Sequence, residues 1–345
     1  MERYIGIDTH RDSSTICVLS AAGKRVRRDI VETNGLALVS YIRKLSGTLH
    51  VCVEEGTWSE WLYEILSPHA SELVVYQNVW TPGAKSDAID AHGLAEKLRI
   101  GQAGPGVFKA PKRYRNLREW VRVYQALTQD TTRAKNRLKS LLQRRGVQCL
   151  GTSIYDPQQR DQWLEQLPAA MRLPAKLLGV ELDCVAELKA EAEAALVKAS
   201  HHVRISKILE TAPGIGPIRA AVLIATVITP HRFRSKRQFW SYCGFAVVTR
   251  SSADWVPTKG GWIRVQAVRT RGLNRNHNPT LKAIFKGAAF TAIHQTKTDH
   301  PLRVAYARLL DSGTRPPLAR LTIARKIAAT VLAMWKNEEV YKAVS

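Results

Sequence analysis

Four carboxylates stand where they could act together: Asp8 in "YIGID", Glu54 in "HVCVEEG", and Asp87 and Asp90 in "KSDAIDAHGLAEKLR". Asp8 and Glu54 each close a short apolar run of strand type. Asp87 and Asp90 open a helical pattern three residues apart, and so share one face. Two explanations are open for the helix pair. Asp87 can be an N-cap that accepts from an orphan backbone N–H, with Asp90 favoured by the positive end of the helix dipole. Alternatively, both acids bind a divalent metal. Four carboxylates gathered at one sheet edge repel each other unless cations neutralise them, and a hard-oxygen set points to Mg²⁺ or Mn²⁺. Two such ions, about 3.5–4 Å apart, activate a nucleophile and stabilise a leaving oxygen in phosphodiester chemistry. Glu55 rivals Glu54; Glu54 is preferred because it directly continues "VCV".

Elements that could position these acids follow from the apolar patterning of the first hundred residues. "YIGID" reads as a buried strand, and "TICVLSAAGKRVRRDIV" as two strands joined by a turn around Ala22 and Gly23. "GLALVSYIRKL" and "WSEWLYEIL" have helical spacing, and "HVCVEEG" and "ELVVY" are further strands. The order βββαβαβα predicts a mixed sheet with helices packed on it. Strand ends and a helix N-terminus can then converge at one edge.

Beyond the Gly- and Pro-rich stretch "IGQAGPGVFKAPKRY" the pattern changes. Leu117, Trp120, Tyr124, Leu127, Thr131, Ala134, Leu138 and Leu141 follow alternating steps of three and four, a coiled-coil seam flanked by arginines and lysines. A second helix near 178–200 can fold back as its partner, so the seam serves either one subunit or two. "TAPGIGPIRAAVLIATV" matches a helix–hairpin–helix turn, in which Gly214 and Gly216 let backbone N–H groups approach a phosphate; a plain inter-helix turn has the same pattern. Further on, Arg250, Lys259 and Arg264 could neutralise phosphate charge. Trp240, Tyr242, Trp255 and Trp262 could stack unpaired bases or lie in a core.

Charge separates the two halves. The chain carries a formal net charge of +23; residues 1–110 hold 12 Lys and Arg against 13 Asp and Glu, while residues 111–345 hold 40 against 16. A near-neutral module is fused to a strongly basic one, which predicts a polyanionic partner such as DNA or RNA. Five widely spaced cysteines without a CxxC pair argue against structural zinc and for reduced thiols in a cytosol. No apolar run suits a membrane span, and "MERYIGIDTH" enters a strand pattern at once.

Taken together, "GIDTH", "VEEGT", "KSDAIDAHGLAEKLR", the coiled-coil seam, "APGIGPIRAAVLIA" and "FRSKRQFWSYCGF…SS" resemble the DEDD transposases of bacterial insertion sequences (the insertion-sequence 110/116/902 family). The resemblance covers nearly the whole chain. It implies a ribonuclease-H-like, RuvC-type α/β domain over 1–110 and a basic helical coiled-coil region over 111–203. A mainly α transposase domain carrying a nucleophilic serine would occupy 204–345. It implies Asp8, Glu54, Asp87 and Asp90 as ligands of Mg²⁺ or Mn²⁺, with two ions expected. In "CGFAVVTRSSADW" Phe245 stands for the family's leucine, Val247 replaces its proline and Ala253 stands where glycine is usual. Register places the nucleophile at Ser252, with Ser251 as rival.

The expected function is therefore excision and insertion of a mobile element through a composite site of acids and serine. Expected partners are donor and target DNA, a structured bridge RNA and further copies of the chain: a dimer through the coiled coil, and a tetramer on DNA. The expected location is the bacterial cytoplasm, at the nucleoid. Two alternatives stand beside it: a RuvC-like metal-dependent junction endonuclease without a covalent step, and a non-catalytic basic nucleic-acid-binding protein.

Overall fold

A computed structural model describes residues 1–77, 86–104, 106–249, 255–264 and 270–342, arranged in two compact units, Met1–Lys112 and Arg113–Ser345. In the first unit the chain runs β1 (Glu2–Thr9), β2 (Ser13–Ser20), β3 (Arg25–Glu32), α1 (Gly35–Arg43), β4 (Thr48–Glu54), α2 (Ser59–Leu66), β5 (Glu72–Tyr76) and α3 (Asp87–Arg99). This is the βββαβαβα order read from the patterning. The five strands form one mixed sheet, β3-β2-β1-β4-β5, with β1–β2 and β2–β3 antiparallel and β1–β4 and β4–β5 parallel.

The two faces of this sheet follow from the period of two along each strand. Ile5, Ile7, Val51 and Val53 point to one face and form a core with Leu38 and Ile42 of α1 and Leu62 and Leu66 of α2. Tyr4, Cys17, Leu19 and Cys52 point to the other face, where Ala91, Leu94, Ala95 and Leu98 of α3 cover them. Each fully buried Leu or Ile contributes about 1.5–3 kcal/mol of transfer free energy. Gly6, on the α3 face, lets the helix settle directly onto β1.

In the second unit the chain runs α4 (Arg115–Gln143), α5 (Pro157–Leu164), α6 (Ala169–His201), α7 (Ile205–Glu210), α8 (Pro217–Val227) and α9 (Lys236–Tyr242). It continues through the short strands β6 (Val247–Thr249), β7 (Trp255–Thr258), β8 (Gly261–Arg264) and β9 (Thr270–Leu273), then α10 (Pro279–Gln295), α11 (Pro301–Asp311) and α12 (Pro316–Asn337). The long helices α4 and α6 pack on one another within the chain, so the seam's partner in the same subunit is present. Leu117, Val121, Thr131, Ala134, Leu138 and Leu142 are the buried residues of α4. That stripe is nearer 3.6 than 3.5 residues per turn, which is why Val121 and Leu142 are buried in place of Trp120 and Leu141. From α5, Arg160 sits nearly sequestered over Gly179 of α6 and donates two 2.6 Å bonds to the Asp183 carboxylate.

The expected boundary at 203/204 falls inside this unit, where α8 packs against both α4 and α6. Past Arg219 in its first turn, helix α8 is almost wholly apolar, with Ala220–Ala225 and Val227 buried. Around it, Phe285 of α10 meets Phe239 and Phe245 edge-on at 5.8 and 6.3 Å. Strands β6 and β9 pair antiparallel, and β7–β8 form a separate hairpin. Among the described residues, no helix is long and apolar enough to cross a membrane.

Candidate active site

Asp8 follows Gly6 on the α3 face of β1, and Glu54 follows Cys52 on the same face of β4. The parallel register that pairs Gly6 with Cys52 and Ile7 with Val53 therefore sends both acids out at the same sheet edge. Helix α3 begins over that edge. Ser86 is its N-cap, with a hydroxyl that accepts from the Ile89 N–H. Capping therefore falls to Ser86 rather than Asp87, which leaves the Asp87 carboxylate to other partners. It lies against His10: the imidazole Nε2 is 3.2 Å from Asp87 Oδ1 and 3.3 Å from Asp8 Oδ2.

Electrostatics tie the four acids together. Asp8 is only 7% exposed, and burial pushes its carboxyl above the usual carboxylate range. His10 pulls it down, while the charges of Asp87, Asp90 and Glu54 push it further up. Glu54 shares with Asp8, Thr9 and Trp58 a cleft of about 250 Å³. Glu55 and Ser59 line the same cleft, but the Glu55 carboxylate is already engaged: it accepts a 2.6 Å bond from the nearly buried Lys109 ammonium, which also donates to Ser59 Oγ at 2.8 Å.

A divalent cation suits this donor set. Three carboxylates raise the proton affinity of a fourth, and among the described residues the positive group acting against them on Asp8 is an imidazole. Thr9 Oγ1, in the same cleft, is buried and makes no hydrogen bond among the described residues. Asp8, His10 and Asp87 can each turn one donor atom toward a common point, those atoms lying within 4.8 Å of one another. His10 escaped the sequence reading because a lone histidine in a turn has no periodicity. Its signal was proximity, two residues after Asp8.

The remaining expected residues lie in the second unit. Gly214 has a left-handed backbone (φ +72°), and a Cβ there would sit 2.3 Å from the Ala288 carbonyl oxygen, so packing against α10 already demands glycine. Gly216 is the N-cap of α8 and faces open space. Trp240 is anchored, its indole N–H donating to the Arg325 carbonyl at 3.0 Å, and Tyr242 packs with Phe233. Trp255 and Trp262 stand out on the β7–β8 hairpin, 56% and 67% exposed, with Lys259 in its turn and Arg264 at its end. Arg250, Ser251 and Ser252 lie outside the described residues.

Comparison with known proteins identifies the class as a transposase. The DEDD transposase family model matches residues 5–145, spanning the acidic sheet edge and α4, and the model of the transposase IS116/IS110/IS902 family matches residues 206–303. The chain belongs to this IS110-type DEDD transposase family. It is 25% identical over 175 residues to the transposase for insertion sequence element IS1533 of Leptospira borgpetersenii, covering 48% of this chain and 50% of that protein. It is 29% identical over 321 residues to the putative transposase y4rJ of Sinorhizobium fredii, covering 83% of this chain and 76% of that protein. The match thus spans half the length of the first relative.

Proposed function

We propose that this chain cuts and rejoins DNA to move an insertion sequence, with Asp8, Glu54, Asp87 and Asp90 holding one or two Mg²⁺ or Mn²⁺ ions. The observation that carries this reading is the buried Asp8 carboxyl, raised by burial and by three further acids, inside the stretch matched by a DEDD transposase family. Bound there, a divalent cation supplies Lewis-acid polarisation of a phosphate and a lowered pKa for a hydroxyl.

Ser252, with Ser251 as its rival, is the proposed nucleophile. Its hydroxyl gives up its proton to solvent as the oxygen bonds to phosphorus, the scissile P–O bond breaks with its electron pair on the departing sugar oxygen, and that oxygen takes up a proton. The resulting phosphoserine ester keeps the bond energy for rejoining, which reverses the same steps on a new DNA end. The acids and the serine meet as a composite site between copies of the chain.

Guidance by a structured bridge RNA belongs to the same reading, supported by the excess of 40 Lys and Arg over 16 Asp and Glu in residues 111–345. Gly216, Arg250, Lys259 and Arg264 are assigned to the nucleic-acid backbone, and Trp255 and Trp262 to unpaired bases. Gly214 keeps a backbone role beside them. For the copies, Leu173, Leu177, Val180 and Leu188 form an exposed apolar stripe along α6, supporting a dimer through that helix and a tetramer on DNA.

The test is cleavage of labelled DNA carrying the element's ends, with its flanking transcript, in Mg²⁺ or Mn²⁺. The expected result is cleavage abolished by EDTA and by Asp87→Asn. Cleavage that survives both would overturn the acidic-site reading.

A further inference from the structure

Resting on that reading, we propose that His10 is itself a ligand of the cation held between Asp8 and Asp87, and that it biases this position toward Mn²⁺ over Mg²⁺. Nothing in the four-acid pattern assigns His10 a part.

Geometry comes first. His10 Nε2 is nearly equidistant from Asp8 Oδ2 and Asp87 Oδ1, at 3.3 and 3.2 Å, so it stands at the point the two carboxylates share. Its backbone is fixed, because the His10 N–H donates to the Ser13 carbonyl at 3.0 Å and closes the turn from β1 to β2. The side chain is 55% exposed and free of core packing, so a small rotation suffices to turn the contacts into ligation.

Ligand chemistry then sets the preference. Mg²⁺ demands oxygen ligands at near-ideal octahedral geometry and keeps its waters. Imidazole nitrogen suits first-row transition ions, and among these Mn²⁺ also suits carboxylates. A set of two carboxylates and one imidazole therefore favours Mn²⁺, where a purely carboxylate set discriminates less. The competing role for His10 is that of a counter-ion, an imidazolium that screens two acids and withdraws when the metal arrives.

The full chain, loaded with Mn²⁺ alone, is examined by pulsed EPR for ¹⁴N coupling, and its Mn²⁺ and Mg²⁺ affinities are measured by calorimetry. His10→Gln and Asp8→Asn are run beside it. Expected is a nitrogen coupling in the native chain that disappears in His10→Gln, with Mn²⁺ affinity falling at least about tenfold and the Mg²⁺ affinity falling less. Bound Mn²⁺ that depends on Asp8 yet shows no nitrogen coupling, or an unchanged ratio of the two affinities in His10→Gln, would overturn the His10 assignment and leave the acidic site standing. Mn²⁺ binding indifferent to Asp8→Asn would sink both.

Discussion

Gly6 and Ala91 stand so close that a Cβ built on Gly6 would lie 2.0 Å from the Ala91 carbonyl oxygen and 2.6 Å from the Ala95 nitrogen. This contact brings α3 down onto β1 and with it the Asp87 carboxylate over Asp8. Backbone atoms cannot yield as a flexible side chain would. Gly6→Ala is expected to lift α3 from the sheet, costing about 1–3 kcal/mol or more in stability. It should also weaken Mn²⁺ binding although no acid has been changed. Thermal denaturation and calorimetric titration check the two effects together.

Asp8 should trade stability for function. Its carboxyl is raised in the folded chain, so ionised Asp8 works against folding, and the fold gains as pH falls through that raised value. In metal-free buffer near pH 7, Asp8→Asn is expected to raise Tm by a few degrees. The gain should shrink as the pH drops and native Asp8 protonates. Added Mn²⁺ should raise the Tm of the native chain and leave that of Asp8→Asn unmoved, since only a folded state that binds the ion is stabilised by it.

Glu54 and Glu55 are adjacent yet should separate cleanly. Glu54→Gln is expected to lower DNA cleavage by about 100-fold or more with little change in Tm, as befits a group that stabilises charge at the reaction. Glu55→Gln removes the charge that pairs with the nearly buried Lys109 ammonium, so Tm should fall, by about 1–3 kcal/mol of stability, with cleavage retained below the new melting point. Measuring Tm and cleavage on both variants distinguishes the two roles.

At the far end of the same sheet face, His50 bonds to Glu2 at 2.6 Å and to Glu72 at 2.9 Å while stacking on Tyr4. Burial disfavours its charged form, but the bonds to Glu72 and Glu2 outweigh this and raise its pKa. A raised folded value contributes stability that is fully present below the unfolded histidine value of about 6.5 and lost as pH rises through the folded value. The Tm difference between the native chain and His50→Gln should therefore be larger near pH 6 than near pH 9. Equal differences at both pH values would contradict the ion-pair account.

Much of the sheet and its acidic edge was legible because a strand has a period of two. Once "YIGID" and "HVCVE" are aligned as parallel neighbours, Asp8 and Glu54 must share a face. The cap of α3 was less legible, since Ser86 and Asp87 are equally good capping types and only backbone geometry chooses between them. The long helices were plain from their apolar period, but 3.5 and 3.6 diverge only slowly along α4, so the buried stripe was partly misassigned. The short strands β6 to β9 carry too few residues for any pattern. His10 became visible only when the turn after β1 had been folded.

The central claim, a composite site of acids and serine, is tested most directly by looking for the covalent intermediate. Purified protein, the transcript of the element's flanks and labelled junction DNA are incubated with Mg²⁺ and resolved on denaturing gels, with Ser252→Ala, Ser251→Ala and Asp87→Asn alongside. The account predicts a protein–DNA adduct that is lost in Ser252→Ala and in Asp87→Asn and kept in Ser251→Ala. Cleavage without any adduct, indifferent to both serines, would contradict it and make this chain a metal-dependent nuclease.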